Sequence, residues 1–131
     1  MSGRIFTSFS IGLFTIIPTG DPHPNPCGLP IILGKKGAFG SGEHETTASC
    51  LEIMPDIHGM KGCRALDLGC GTGILALAAA RLGAASVVAV DLEEAATVSC
   101  QENSVFNGFE DRITTVCGEL ADIEGQQFDL I

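Results

Sequence analysis

The chain has 131 residues, with 16 acids against seven bases for a net charge of −9, and 45% of it is hydrophobic. That length allows one domain with a single core, no run of 18 apolar residues is available to span a membrane, and the negative balance disfavours binding along a phosphate backbone. The six cysteines form no C-x-x-C pair, which favours a reduced, cytoplasmic protein over a disulfide scaffold or a metal site.

The opening, MSGRIFTSFSIG, has one Arg among broken apolar stretches and does not read as a secretory signal. Residues 4–17 carry β-like runs around Phe9, Ile11, Phe14 and Ile16. Residues 18–30 hold five of the six prolines and read as an irregular connection, and 29–33 are a further short apolar run. Together they predict a small β unit leaning on a larger sheet. Gly37, Gly40 and Gly42 then mark a loop. From Glu43 the pattern turns helical, with Thr47, Cys50, Leu51 and Met54 on one side and Pro55 ending it. Glu43 and Glu45 suit the start of that helix, where the backbone dipole favours acids.

From Arg64 the order becomes strand, helix, strand, helix, strand. Residues 64–68 are a strand that runs into Gly69, Gly71 and Gly73; 74–82 are an alanine-rich helix stopped by Gly83. Residues 86–90 form the next strand, 93–107 a helix stopped by Gly108, and 112–116 a third strand, while 128–131 begin a fourth. Such alternation implies right-handed crossovers and a parallel sheet in the order 3-2-1-4, an α/β Rossmann-like fold. The expected division is 1–36, an N-terminal β segment with its proline-rich connection, and 37–131, a nucleoside-binding domain.

A strand, a glycine turn and a helix in succession make a phosphate- or nucleoside-binding corner. The loop departs from the dinucleotide pattern G-x-G-x-x-G, since Ile74 stands where that pattern continues past Gly73. Asp67, two residues before Gly69, would repel a pyrophosphate and attract the ammonium and sulfonium groups of S-adenosylmethionine. The next strand ends in Asp91, about 20 residues after the glycines, where a carboxylate accepts hydrogen bonds from ribose hydroxyls. Two plainer readings stay open: a glycine turn with no ligand, and Asp67 as a cap for the helix that follows.

AFGSGEHETT at 38–47, LDLGCGTGILALAA at 66–79 and VDLEEAA at 90–96 together resemble the PrmA family, lysine methyltransferases of ribosomal protein L-eleven. The resemblance covers roughly residues 9–131. Its first motif is particular to the family, in which it reads close to AFGTGTHPTT; the other two are shared by many class I methyltransferases. Phe39, Gly40, Gly42, His44, Thr46 and Thr47 match, whereas Ser41, Glu43 and Glu45 depart.

The resemblance implies S-adenosylmethionine as cofactor, with Phe39, Gly40, Thr47, Asp67, Gly69, Gly71, Gly73, Asp91, Leu92 and Glu119 as its binding residues. In the family the histidine-threonine loop folds over the cofactor, which assigns a contact to Thr47; a plain helix-face hydroxyl is the alternative. His44 reads as a structural hydrogen-bonding group rather than a proton carrier. Glu119 meets the adenine amino group or is an exposed turn acid.

Family members also have an N-terminal recognition domain and, after the fourth strand, an Asn-containing segment with three further strands. Neither finds room in these residues, so the sequence is expected to be a fragment. The implied reaction is methyl transfer to a protein amine, with no residue assigned as catalytic base. The alternatives are a non-catalytic S-adenosylmethionine-binding module and an NAD-dependent oxidoreductase, the last disfavoured by Asp67. A protein partner is expected, with no membrane or nucleic acid.

Overall fold

The computed structural model describes residues 8–20, 28–34 and 44–131. Two three-stranded sheets sandwich a layer of helices. The smaller sheet contains β1 (Phe9–Ile11), β2 (Phe14–Pro18) and β3 (Leu29–Leu33), with β1 antiparallel and β3 parallel to β2. β3 is an edge strand, so Pro30, which has no N–H to give a ladder, is tolerated within it.

The main sheet contains β4 (Arg64–Leu68), β5 (Ser86–Asp91) and β6 (Ile113–Cys117), all parallel, in the order β4-β5-β6. A parallel bridge from Ala65 to Leu130 adds the start of a fourth strand on the free side of β4. Read from β6 inward, the expected order 3-2-1-4 is what forms. Helices α1 (His44–Ile53), α2 (Ile74–Arg81) and α3 (Glu94–Phe106) complete the described elements, with 3₁₀ turns at Met54–Asp56 and Leu120–Ile123. None of these helices is long and apolar enough to cross a membrane.

Alternation along the main strands divides the apolar residues between two faces. Ala65, Val87, Ala89 and Ile113 join the large core with Leu77 of α2 and Cys100 of α3, while Leu66, Val88 and Val90 turn the other way onto Ile123. Phe14, Ile16, Ile31 and Leu33 of the smaller sheet belong to the same large core. That placement corrects one expectation: the N-terminal strands lean on helices α2 and α3 rather than on the main sheet. The inner residues of α2 are mostly alanines, so the helix has almost no girth and can be approached from both sides.

Two asparagines fasten the smaller sheet in place. Asn107 accepts the Ile32 N–H at 2.8 Å and donates to the Ile32 carbonyl at 2.7 Å, so it mimics a neighbouring strand along that edge. Arg81 donates from Nε to the Pro30 carbonyl at 2.9 Å and lies 4.6 Å from the centre of the Phe109 ring. All five described cysteines are free thiols, while Cys27 lies outside the described residues.

Candidate functional site

Period two along the strands decides where the aspartates point. Asp67 shares the face of Ala65, and Asp91 that of Val87 and Ala89, so both carboxylates come off the strand tips on the helix side. The glycine loop between β4 and α2 is stitched across the end of β5. The Gly69 and Cys70 amides both donate to the Val90 carbonyl, at 2.7 and 3.0 Å. Asp91 then accepts the Gly71 N–H on Oδ2 at 3.0 Å and the Glu93 N–H on Oδ1 at 2.9 Å. Each oxygen keeps a lone pair for a further donor.

The glycines are not equivalent. Among the described residues, Gly69 (φ 74°) and Gly71 (φ 55°) have no atom within 4 Å of where a Cβ would stand. At Gly73 a Cβ would run into Sγ of Cys100. Gly73 therefore lets α3 close against the loop, while no described side chain fills the space above the other two.

Asp67 is the electrostatic anomaly of the site. Its Oδ2 is buried and has no hydrogen-bond partner among the described residues. Burial pushes its carboxyl up from 3.8 to about 6; the Ala76 amide in the first turn of α2 pulls it part of the way back, and Asp91 adds a smaller upward push. Gly73 is the N-cap residue of α2 and no side chain caps that end, and Asp67 keeps one oxygen unmet. Such an oxygen is costly unless a cation or N–H donor arrives. Next to it, a hydrogen bond with Cys100 and burial push the Cys70 thiol far above its usual range, which makes Cys70 a packing group rather than a nucleophile.

Beyond the tip of β5 a cleft of about 380 Å³ is lined by Leu68, Gly69, Asp91, Leu92, Gly118, Glu119 and Leu120. Leu68, Leu92 and Leu120 are 45, 72 and 59% exposed, an unusual apolar rim around a carboxylate floor. This suits a group with an apolar face and a hydrogen-bonding edge. A second cavity, about 210 Å³ and almost wholly apolar, lies between α1, α2 and β4, with Asp67 in its wall beside Met54, Leu75 and Ala76.

Of the expected site residues, the cleft brings together Gly69, Asp91, Leu92 and Glu119, and the loop holds Gly71 against Asp91. Asp67 lines the second cavity instead, and Gly73 packs against Cys100. Thr47 is half-buried on α1, one turn before Cys50, and lines neither cavity. Phe39, Gly40 and the side chain of His44 lie outside the described part. Sequence reasoning missed Leu68 and Leu120. Leu68 was legible as an apolar residue that alternation turns away from the core of Ala65. Leu120 becomes visible only when the turn after β6 folds over. Among the described residues, no group of three or more His, Cys, Asp or Glu side chains is placed to hold a metal ion.

A parallel sheet with acid-tipped neighbouring strands and a glycine loop between them defines a Rossmann-like fold of the class I methyltransferase type. Solved structures agree: Arabidopsis thaliana protein arginine methyltransferase 10, 26% identical, matches with a TM-score of 0.54 over 60% of this chain and 23% of its own. The chain belongs to the ribosomal protein L11 methyltransferase (PrmA) family, whose model matches residues 4–131. The ribosomal protein L11 methylase of Lactobacillus delbrueckii subsp. bulgaricus is 29% identical, with a TM-score of 0.79 over 95% of this chain and 65% of that one. Ribosomal protein L11 methyltransferases of Dechloromonas aromatica and Acetivibrio thermocellus are 44% identical over 108 residues and 42% identical over 115, covering 79 and 87% of this chain. The chain spans 36% of the length of each of those two relatives.

Proposed function

We propose that this chain carries the S-adenosylmethionine site of a cytoplasmic protein N-methyltransferase whose acceptor, like that named for its relatives, is a ribosomal protein. One observation carries the proposal: among the described residues, the buried Asp67 oxygen has no partner and lies beside a loop whose Gly69 and Gly71 meet no side chain. A cationic nucleoside fits that combination. A dinucleotide does not, because its pyrophosphate would be pressed against an acid.

The residues divide the ligand between them. Asp91, already oriented by the Gly71 and Glu93 amides, accepts from ribose hydroxyls with its remaining lone pairs. Leu68, Leu92 and Leu120 cover the faces of the adenine, and Glu119 at the cleft meets its amino edge. Asp67 offsets the positive charge of the methionine end. Phe39, Gly40 and Thr47 are assigned to the cofactor on the family motif, and Gly73 keeps α3 packed against the loop. When bound, S-adenosylmethionine supplies a methyl group on a sulfonium sulfur that departs as a neutral thioether. The protein must align an amine with that methyl and keep it neutral, although a free lysine has a pKa of about 10.4. The division we propose assigns 1–36 to a supporting β segment and 37–131 to cofactor binding.

Calorimetric titration with S-adenosylmethionine, S-adenosylhomocysteine and NAD tests the cofactor. Binding of the first two and not the third is expected; tighter binding of NAD overturns the reading. Incubation with a methyl-labelled donor and ribosomal proteins then tests the acceptor.

A further inference from the structure

Asn103 sits on α3 and is only 3% exposed. Its side chain joins two segments that are distant in sequence. Oδ1 accepts the Gly34 N–H at 2.8 Å, and Nδ2 donates to the Thr72 carbonyl at 2.8 Å. The two contacts fix which end of the amide is which, since an N–H needs an acceptor and a carbonyl a donor. Gly34 is the residue immediately before 35–43, the stretch that holds Phe39 and Gly40; Thr72 is the residue between Gly71 and Gly73.

Asn107, the C-cap residue of α3, bonds Ile32 with both ends of its amide and also donates to the Asn103 carbonyl at 2.7 Å, but none of these contacts goes to the glycine loop. The structure therefore supplies a matched control. Both asparagines fasten the end of the smaller sheet to α3; of the two, Asn103 also bonds the glycine loop.

We infer that Asn103 is a positioning residue for cofactor binding: one buried amide that sets the glycine loop at Thr72 and the entry to 35–43 at Gly34 in fixed relation. The inference rests on the proposed S-adenosylmethionine site. Only an amide can serve both partners. Leucine of the same length serves neither, and aspartate keeps the acceptor toward Gly34 while turning a carboxylate oxygen onto the Thr72 carbonyl. The loop then loses a tether within one residue of Gly71, whose N–H bridges to Asp91. Preorganisation lost in this way appears as weaker binding without any contact to ligand being removed.

The experiment compares Asn103→Leu, Asn103→Asp and Asn107→Leu with the unaltered chain. S-adenosylhomocysteine affinity is measured by calorimetry, melting temperature by circular dichroism, and amide hydrogen exchange by NMR without ligand. Both Asn103 variants are expected to weaken binding about tenfold, equivalent to about 1.4 kcal/mol. They should also speed exchange at Gly73 and its neighbours. Asn107→Leu should lower the melting temperature comparably and leave affinity within about twofold, a change of about 0.4 kcal/mol.

Equal loss of affinity in Asn103→Leu and Asn107→Leu means that Asn103 acts only through stability, and overturns the inference. So does unchanged affinity in a folded Asn103→Asp, which carries the test if the leucine variant does not fold. If the unaltered chain itself fails to bind S-adenosylhomocysteine, the cofactor reading falls. Exchange at the loop then decides the tether by itself: faster exchange in the Asn103 variants retains it as a brace, and unchanged exchange removes it.

Discussion

Replacing Asp67 with Asn separates what the buried carboxylate does for the fold from what it does for the ligand. Burial raises its pKa from 3.8 to about 6, a shift of about two units worth roughly 3 kcal/mol at 1.36 kcal/mol each. The sign follows from linkage. An acid with a raised folded pKa is more readily protonated when folded, so its penalty is absent below about 4, grows as pH rises, and is complete above about 6. Asp67→Asn should therefore stabilise the ligand-free chain at pH 7.5, by up to about 3 kcal/mol. That gain should shrink towards zero at pH 4. The replacing amide inherits part of the unmet hydrogen bonding, which makes this figure a ceiling.

Urea unfolding followed by circular dichroism at half-unit steps from pH 4 to 8 measures the difference directly. The same variant should bind S-adenosylmethionine at least about tenfold more weakly at pH 7.5, because the opposing charge has gone. Affinity of the unaltered chain should tighten as pH rises through 6, while that of the variant stays level. A stability difference that is constant across the pH range, or a variant that binds as well as its parent, refutes the assignment of an unpaired carboxylate facing a cation.

Asp91→Ala should weaken S-adenosylmethionine by at least about 1.5 kcal/mol, the scale of a lost charge-assisted hydrogen bond, and speed exchange of the Gly71 amide; unchanged affinity by calorimetry removes Asp91 from the site. Gly73→Ala combines a positive φ with a collision at Cys100 and should cost about 2 kcal/mol or more in a urea melt. Cys100→Ala should recover part of that loss, and strict additivity of the two changes would count against the packing assigned to Gly73. Leu120→Ala should leave the melting temperature unchanged, because the side chain is 59% exposed, while weakening S-adenosylmethionine by roughly fivefold, about 1 kcal/mol of buried apolar area. An unchanged dissociation constant would place the adenine elsewhere.

The strand-loop-helix corner was legible because its signals are local. Apolar alternation through Leu68, a run of glycines and an alanine-rich helix stopped by Gly83 each follow from neighbours a few residues apart. The acids at positions 67 and 91 stood out because both end apolar strands. What escaped the sequence depends on distant partners. Gly73 looked like a third ligand glycine, and only the arrival of Cys100 from α3 shows its role in packing. Asn103 and Asn107 sit in the mostly polar string QENSVFNG, where they resemble ordinary polar helix residues; nothing in that string indicates β3. The seat of the smaller sheet was misjudged for a similar reason. Its apolar residues announced that they needed cover, but hydrophobicity does not name its partner.

The methyl-lined α2 gives the site an unforgiving foundation. Ala78 and Ala80 are 0 and 1% exposed, and an alanine has no side-chain torsion by which to step aside for an intruder. An added methyl there can be accommodated only by the whole rod shifting, and the rod bears at its near end the Ala76 amide that partly restores the acidity of Asp67. Slight enlargements on the hidden side of this helix should therefore register as altered titration at the strand tip, so that the pKa of Asp67 doubles as a gauge of how well the interior is seated.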